Sequence, residues 1–204
     1  MRRFILRQNL LRYQAQLADE GDVIRRAHLR ELIEDARLEL ARLEHLWHIT
    51  CPQIEVPLYL GEDAELTLDH AVSANHADRG SLRIWNERKY CLSLFAQTNF
   101  NADFVDRFAD VVEGDGTVSL QALALQKPVF VHDVEEDEDL TSFKDYARQE
   151  GIRSIVSSPL IGSDGRCLGT YSLHYNRTQT YNDADHVVVH TYSMRLAALL
   201  QCFL

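Results

Sequence analysis

Few side chains in this sequence are spaced for chemistry, and each can be held against the geometry that its chemistry needs. His186 and His190 stand one helical turn apart in "DADHVVVH", where two imidazoles can share a metal ion. A metal needs at least one further ligand, and none is identifiable, so no metal site is assigned. Cys51, Cys91, Cys167 and Cys202 are scattered without a CxxC pair, which removes a zinc-ribbon reading. Cys91 and Cys167 fall in apolar strand-like runs and read as buried small hydrophobes, in a reduced, cytoplasmic setting. The acidic run 133–139, "DVEEDED", lacks the glycine and spaced oxygens of a calcium loop and reads as a solvated loop. No Ser-His-Asp set and no paired carboxylates can be argued, so no catalytic residue is assigned. The densest stretch is 176–185, "NRTQTYNDAD", with an amide, a cation, an aromatic and a carboxylate just before the last helix. Asp185 in the first helical turn meets the positive end of the helix dipole. Thr180, with Asp183 three residues on, makes a start like a capping box.

Something must position these groups, and 204 residues at 46% hydrophobic are enough for one domain with a core and an appendage. The formal charge of -10 argues against a nucleic-acid partner, which needs clustered cations. Charge is uneven: residues 1–50 hold nine Arg and eight acidic side chains, leaving 12 basic against 23 acidic in the rest. No window approaches a membrane span of about 18 apolar residues. Arg7 and Arg12 interrupt the opening "MRRFILRQNLLRY", so it reads as the first turns of a helix rather than a signal peptide.

Residues 2–19 and 22–48 read as helices broken near Gly21. Leu29, Ile33, Ala36, Leu40, Leu43 and Trp47 recur at steps of four and three, the spacing of a coiled-coil seam. Leu6, Leu10, Tyr13 and Leu17 follow the same rule. Such a stripe needs a partner, either the following domain or the same helix of a second subunit. After a Pro-containing boundary the pattern changes. Residues 63–77 read as a helix, and "SLRIWN" and "YCLSLFAQT" as a hairpin about Glu87-Arg88-Lys89. Then come "NADFVDRFADVV" and "TVSLQALALQ" as helices, "PVFVHDV" as a strand, and "DLTSFKDYARQE" as a helix closed by Gly151. "RSIVSSPLIG" and "RCLGTYSLHYN" make a second hairpin about Ser163-Asp164-Gly165, before a final helix from Asp183 to Phe203. This order predicts an α+β sandwich around an antiparallel sheet.

From about Glu62 to Leu200 the chain resembles a GAF domain. The resemblance is carried by "ADRGSLRIW", "GDGTVSLQALALQKPVFVHDV", "GIRSIVSSPLIGSDGRCLGTYSLHY" and "YNDADHVVVHTYSMRLAALL" in that order. It implies a GAF-like six-stranded antiparallel sheet with helices on both faces and a small-molecule cavity under the crossover helices. The implied organisation is an N-terminal helical dimerisation segment over 1–50, of coiled-coil type, and a GAF domain over 51–204. Such domains usually sense rather than catalyse and commonly dimerise through a helical bundle. The expectation is therefore a stand-alone sensory homodimer without an output domain of its own, acting on a signalling partner such as a kinase or regulator.

Relatives that bind cyclic nucleotides carry Asn-Lys, a spacer, Phe, three residues and Asp-Glu. The matching positions here hold Asn176-Arg177, Tyr181 and Asp185-His186, so three of five depart. The four residues Asn176, Arg177, Tyr181 and Asp185 are expected to form a structural latch between last strand and last helix, with Arg177 paired to Asp185. No Cys precedes a His, against a covalently bound bilin. For the cavity, the crossover helices offer Phe104, Phe108, Phe143 and Tyr146, and the strands offer His132, Ser157, Tyr171 and His174. These suit a small organic ligand of unnamed chemistry or, equally, a filled core. A one-residue shift in strand facing would exchange Tyr171 for Thr170 and Ser157 for Ser158. The alternatives are a redox enzyme of the free-methionine-sulfoxide reductase type using Cys91 or Cys167, and a ligand-free protein-interaction module.

Overall fold

The computed structural model describes residues 2–50 and 58–201. The chain divides into two compact units, residues 1–54 and 55–204. The boundary expected at 50–51, with Cys51 and Cys202, abuts or falls in the segments outside the described residues.

In the first unit, α1 (Arg2–Asp19) and α2 (Val23–Thr50) pack on each other. The break has a clear cause. The Asp22 carboxylate accepts from the Ile24 and Arg25 amides at 2.9 Å, capping α2, while Arg26 Nη1 reaches back to Glu20 O at 2.8 Å. Within the seams, Ile33 and Ala36 are buried, and Leu10, Tyr13, Leu17 and Leu29 are half-buried. The expected partner of each stripe was another domain or another subunit; the packing of α1 on α2 supplies one within the chain. The side chains of Leu6, Leu40, Leu43 and Trp47 lie outside the described residues.

The second unit is built on an antiparallel sheet of order β3-β2-β1-β6-β5-β4. Its strands are β1 (Arg79–Asn86), β2 (Cys91–Thr98), β3 (Asp110–Val112), β4 (Val129–Val131), β5 (Ser154–Ile161) and β6 (Cys167–Tyr175). Helices α3 (Leu58–Ala74) and α7 (Asp183–Gln201) cover one face, packing on each other and on the central strands. Gly80 in β1 permits the close approach of α3: a Cβ there would lie 2.5 Å from Val72 Cγ2. The crossovers on the other face are α4 (Ala102–Arg107), α5 (Val118–Leu125) and α6 (Thr141–Glu150).

The sequence pattern places five of these strands. The sixth, β3, lies where "NADFVDRFADVV" reads as one helix. Helix α4 stops at Arg107 because Phe108 leaves helical geometry, and 110–112 then pair with Cys91–Ser93. Local caps hold the crossover layer in place. Asn101 Oδ1 accepts from the Phe104 amide at 2.8 Å, while its Nδ2 donates to Glu150 at 2.9 Å, tying the start of α4 to the end of α6. Gly151 ends α6 at φ 68°, a left-handed conformation that glycine adopts without penalty.

Candidate functional site

A cavity of about 20 Å³ lies between the sheet and the crossover layer. Its floor comes from Ser81 and Arg83 of β1, Ile155 of β5 and His174 of β6. Its roof is Phe104 from α4 and Phe108 just past its end, Thr117, Val118 and Ser119 at the start of α5, and Phe143 from α6. The volume holds about one water-sized group. Around it the aromatics form a continuous shell: Phe100 and Phe104 stack, Phe108 meets Tyr146 edge-on at 4.7 Å, and Phe100 meets His174 edge-on at 5.0 Å.

The polar content of this face is unusual for a sheet buried on both sides. Arg83 is only 3% exposed, and its Nη1 donates to Phe108 O at 2.7 Å. Next to it a chain of hydroxyls runs from Ser119 to Ser172 at 3.3 Å and from Ser172 to Ser157 at 2.9 Å. Thr117 Oγ1, Thr170 Oγ1, His174 Nδ1 and Tyr146 Oη are buried and have no hydrogen-bond partner. Such atoms are costly to bury and call for an explanation. Burial, with Arg83 and Arg79 nearby, depresses the His174 pKa to about 3, so its imidazole is neutral at pH 7. Burial and Glu150 push the Tyr146 hydroxyl above the ordinary phenol range.

Of the eight residues expected at the cavity, Phe104, Phe108, Phe143 and His174 line it. Tyr146 stands behind them, against Phe108 and Phe143. Ser157 is on the cavity side of the sheet, one hydroxyl removed from the lining. Two expectations are corrected. His132 is exposed beyond the end of β4, its Nδ1 against Gln179 O at 2.9 Å. Tyr171 points to the opposite face, where its hydroxyl donates to Val189 O of α7 at 2.7 Å. Thr170, its neighbour, is opposite Arg83 in the sheet. Strand β6 is buried along both faces, so no polar alternation marks which side is which. Sequence reasoning missed Arg83, although a cation between Leu82 and Ile84 in an otherwise apolar strand is a readable signal. Ser81, Thr117, Val118, Ser119 and Ile155 carried no comparable mark.

The latch is rearranged. Asp185 pairs with the cap and not with Arg177: Asn182 Oδ1 accepts from the Asp185 amide at 3.2 Å, and Asp185 Oδ2 accepts from the Asn182 amide at 2.8 Å. This is a reciprocal capping box two residues beyond the Thr180–Asp183 pair. Arg177 donates to His76 O at 2.8 Å and lies 3.5 Å from Asp78, because the end of β6 adjoins the loop into β1. Asn176 accepts from Arg79 Nη1 at 2.6 Å. Tyr181 meets the Ser154 hydroxyl at 2.5 Å and packs on Phe130; burial raises its pKa to about 12.

The acidic run is partly neutralised, since Asp133 pairs with Arg153 at 2.5 Å and Glu135 with Arg148 at 2.7 Å. Neither Cys91 nor Cys167 is in the lining, and burial pushes both thiols up, away from the thiolate that redox chemistry uses. Among the described residues, no helix is long and apolar enough to cross a membrane.

A six-stranded antiparallel sheet, with two helices on one face and a crossover layer roofing a small cavity on the other, defines an α+β fold. A family model for the GAF domain matches residues 61–201, and the chain belongs to that family. Solved structures share the fold at low identity. A domain of a two-component sensor histidine kinase protein from Sinorhizobium meliloti 1021 is 21% identical, with TM-score 0.60, over 73% of this chain and 94% of that one. The GAF domain of a phosphoenolpyruvate-protein phosphotransferase from Coxiella burnetii is 16% identical, with TM-score 0.61, over 78% and 92%. A free methionine-R-sulfoxide reductase from Neisseria meningitidis, solved with its substrate, is 17% identical, with TM-score 0.57, over 98% and 91%. A search of curated protein sequences gives no match.

Proposed function

We propose that this chain is a GAF sensory module that takes a small ligand into the cavity under α4, α5 and α6. The observation that carries the reading is the pairing of a small cavity with buried polar atoms that no protein group satisfies, Thr117 Oγ1 and His174 Nδ1. A core that served packing alone would gain stability by replacing them with apolar groups. The ligand signals through the N-terminal helices, which form a homodimer in the cytoplasm and act on a kinase or regulator. The fold occurs both in a sensor histidine kinase protein and a phosphotransferase and in a free methionine-R-sulfoxide reductase; the regulatory reading is preferred because neither Cys91 nor Cys167 lines the cavity. A ligand with more than about two or three non-hydrogen atoms requires the roof to move outward.

Native against denatured mass spectrometry of the purified chain tests the reading. A retained small molecule, or a small molecule that raises Tm in a saturable way, is the expected result. The dimer is tested separately by analytical ultracentrifugation, where a monomer at all concentrations removes the helical signalling route.

A further inference from the structure

Thr117 stands where a threonine ordinarily caps a helix, yet its hydroxyl does no capping. It is the N-cap residue of α5 and makes no side-chain bond to the first turn, although threonine there normally accepts from a backbone amide two or three residues on. Its Oγ1 instead belongs to the cavity lining, buried and without a partner. His174 of β6 lines the same cavity, and its Nδ1 is unpartnered too. Both residues are more than nine-tenths buried, Thr117 at 8% and His174 at 6% exposure. Two orphaned polar atoms on separate elements thus adjoin one space of about 20 Å³. Burial, ahead of the nearby arginines, keeps the His174 imidazole neutral at pH 7. The same burial penalises a charge on anything else placed beside it. No Asp or Glu is among the ten residues of the lining to meet a cation. Arg83 is held by protein acceptors, its Nη1 donating to the carbonyls of Phe108 and Leu92 at 2.7 and 3.4 Å.

Resting on the cavity reading above, we infer that the guest is a small uncharged molecule carrying both a hydrogen-bond donor and an acceptor, recognised by Thr117 and His174 together. A hydroxyl both donates and accepts, while a neutral imidazole offers at Nδ1 either a lone pair or an N–H, according to its tautomer. In either tautomer, a guest with one donor and one acceptor satisfies both orphaned atoms. A purely apolar guest would leave both unsatisfied, which is costly in a buried site. An ion would surrender its hydration where the unpartnered atoms are those of neutral groups. The apolar part of the lining, Phe104, Val118, Phe143 and Ile155, takes the carbon side of the guest. The contact at Thr117 also gives the guest a lever, since Thr117 begins α5 and α5 packs on β5 and β6.

The test uses the intact chain with ring-labelled histidine at pH 7, the His174 resonance being assigned by its loss in His174→Gln. Formamide, formate and formamidinium share one small planar frame and differ in charge, and they are titrated separately at matched ionic strength. Formamide should shift the His174 resonance saturably and bind at least about tenfold tighter than either ion. Thr117→Val keeps the shape, deletes the hydroxyl and should weaken formamide severalfold. Thr170→Val deletes a buried, unpartnered hydroxyl outside the lining and should leave formamide binding unchanged. Formate or formamidinium binding as tightly as formamide overturns the assignment of an uncharged guest while leaving a ligand cavity in place. Equal effects of the two threonine variants, or none from Thr117→Val, overturn recognition by Thr117. The charge series needs only the wild-type chain, so it decides even if a variant fails to fold. If no probe moves His174, the uncharged-guest assignment fails; a molecule retained in mass spectrometry then leaves the sensor reading standing, and with nothing retained both fail.

Discussion

The two faces of the sheet are packed by different rules. On the α3/α7 face the buried polar groups named here are matched. Tyr171 donates to Val189 O at 2.7 Å, the Ser158 and Ser193 hydroxyls meet at 2.6 Å, and Leu82 and Leu173 are fully enclosed. On the crossover face a cation, an imidazole and a row of hydroxyls are buried, and several atoms go unmatched. Burial is equally complete on both sides, so burial alone does not separate a scaffold from a site. What separates them is the small cavity, which lies on the crossover side beside Arg83 and His174. The α3/α7 face closes the core, while the crossover face leaves a small cavity beside buried polar side chains.

The comparison breaks first if truncation on the scaffold face is cheap. Leu82→Ala, with the side chain fully buried under α3 and α7, should cost about 3 kcal/mol in urea denaturation. A cost below about 1 kcal/mol would mean that this face is loosely packed.

Next in size is the pH response of the crossover face. The folded pKa of His174, about 3, lies below the unfolded value of about 6.5. Stability from the neutral imidazole is therefore complete above about pH 6.5 and falls by about 1.4 kcal/mol per pH unit as pH drops toward 3. At pH 5 the wild-type chain should have lost about 2 kcal/mol through this group relative to pH 7. His174→Gln should lose correspondingly less over the same interval. Parallel pH profiles for the two proteins would remove the buried neutral imidazole from the account.

Smaller effects sharpen the contrast. Asp185→Ala removes the reciprocal cap of α7 and should cost about 1 kcal/mol. Tyr171→Phe should cost about 1 kcal/mol, because it leaves the Val189 carbonyl without its phenol donor. Thr170→Val on the opposite side of the same strand should instead be neutral, or stabilising by up to about 1 kcal/mol, since it deletes an unmatched hydroxyl of similar shape. Adjacent residues of β6 would then respond with opposite sign. Equal losses at both positions would erase the distinction between the faces.

Much of the fold was legible in the sequence. The two N-terminal helices, their break at Gly21-Asp22, both hairpins and the Gly151 stop are where the periodicities and turn residues put them. Each depends on interactions within a few residues. Strand β3 was not legible, because Asp110–Val112 continue the apolar spacing of α4 and become a strand only by pairing with Cys91–Ser93. The latch residues show the same division. That a cap would start α7 could be read from the cluster of Thr, Asn and Asp. Which side chain caps it depended on where the chain leaves helical geometry, and Asn182 took the place expected of Thr180. Arg177 found Asp78, about a hundred residues away in sequence, because β6 lies beside β1.

Of the cavity, the aromatic roof was readable from Phe104, Phe108 and Phe143, since large apolar residues in short helices must go inward. The polar floor was not. Thr170, Tyr171, Ser172, Leu173 and His174 are all buried, so hydrophobicity carries no sign of which alternate set looks up and which looks down. The sequence by itself determined the family, the order of elements and the apolar lid. Only the tertiary structure decided that Tyr171 belongs to the scaffold while Arg83 and His174 share the cavity. That choice rests on register against neighbouring strands, and register is set by hydrogen bonds between segments far apart in the chain.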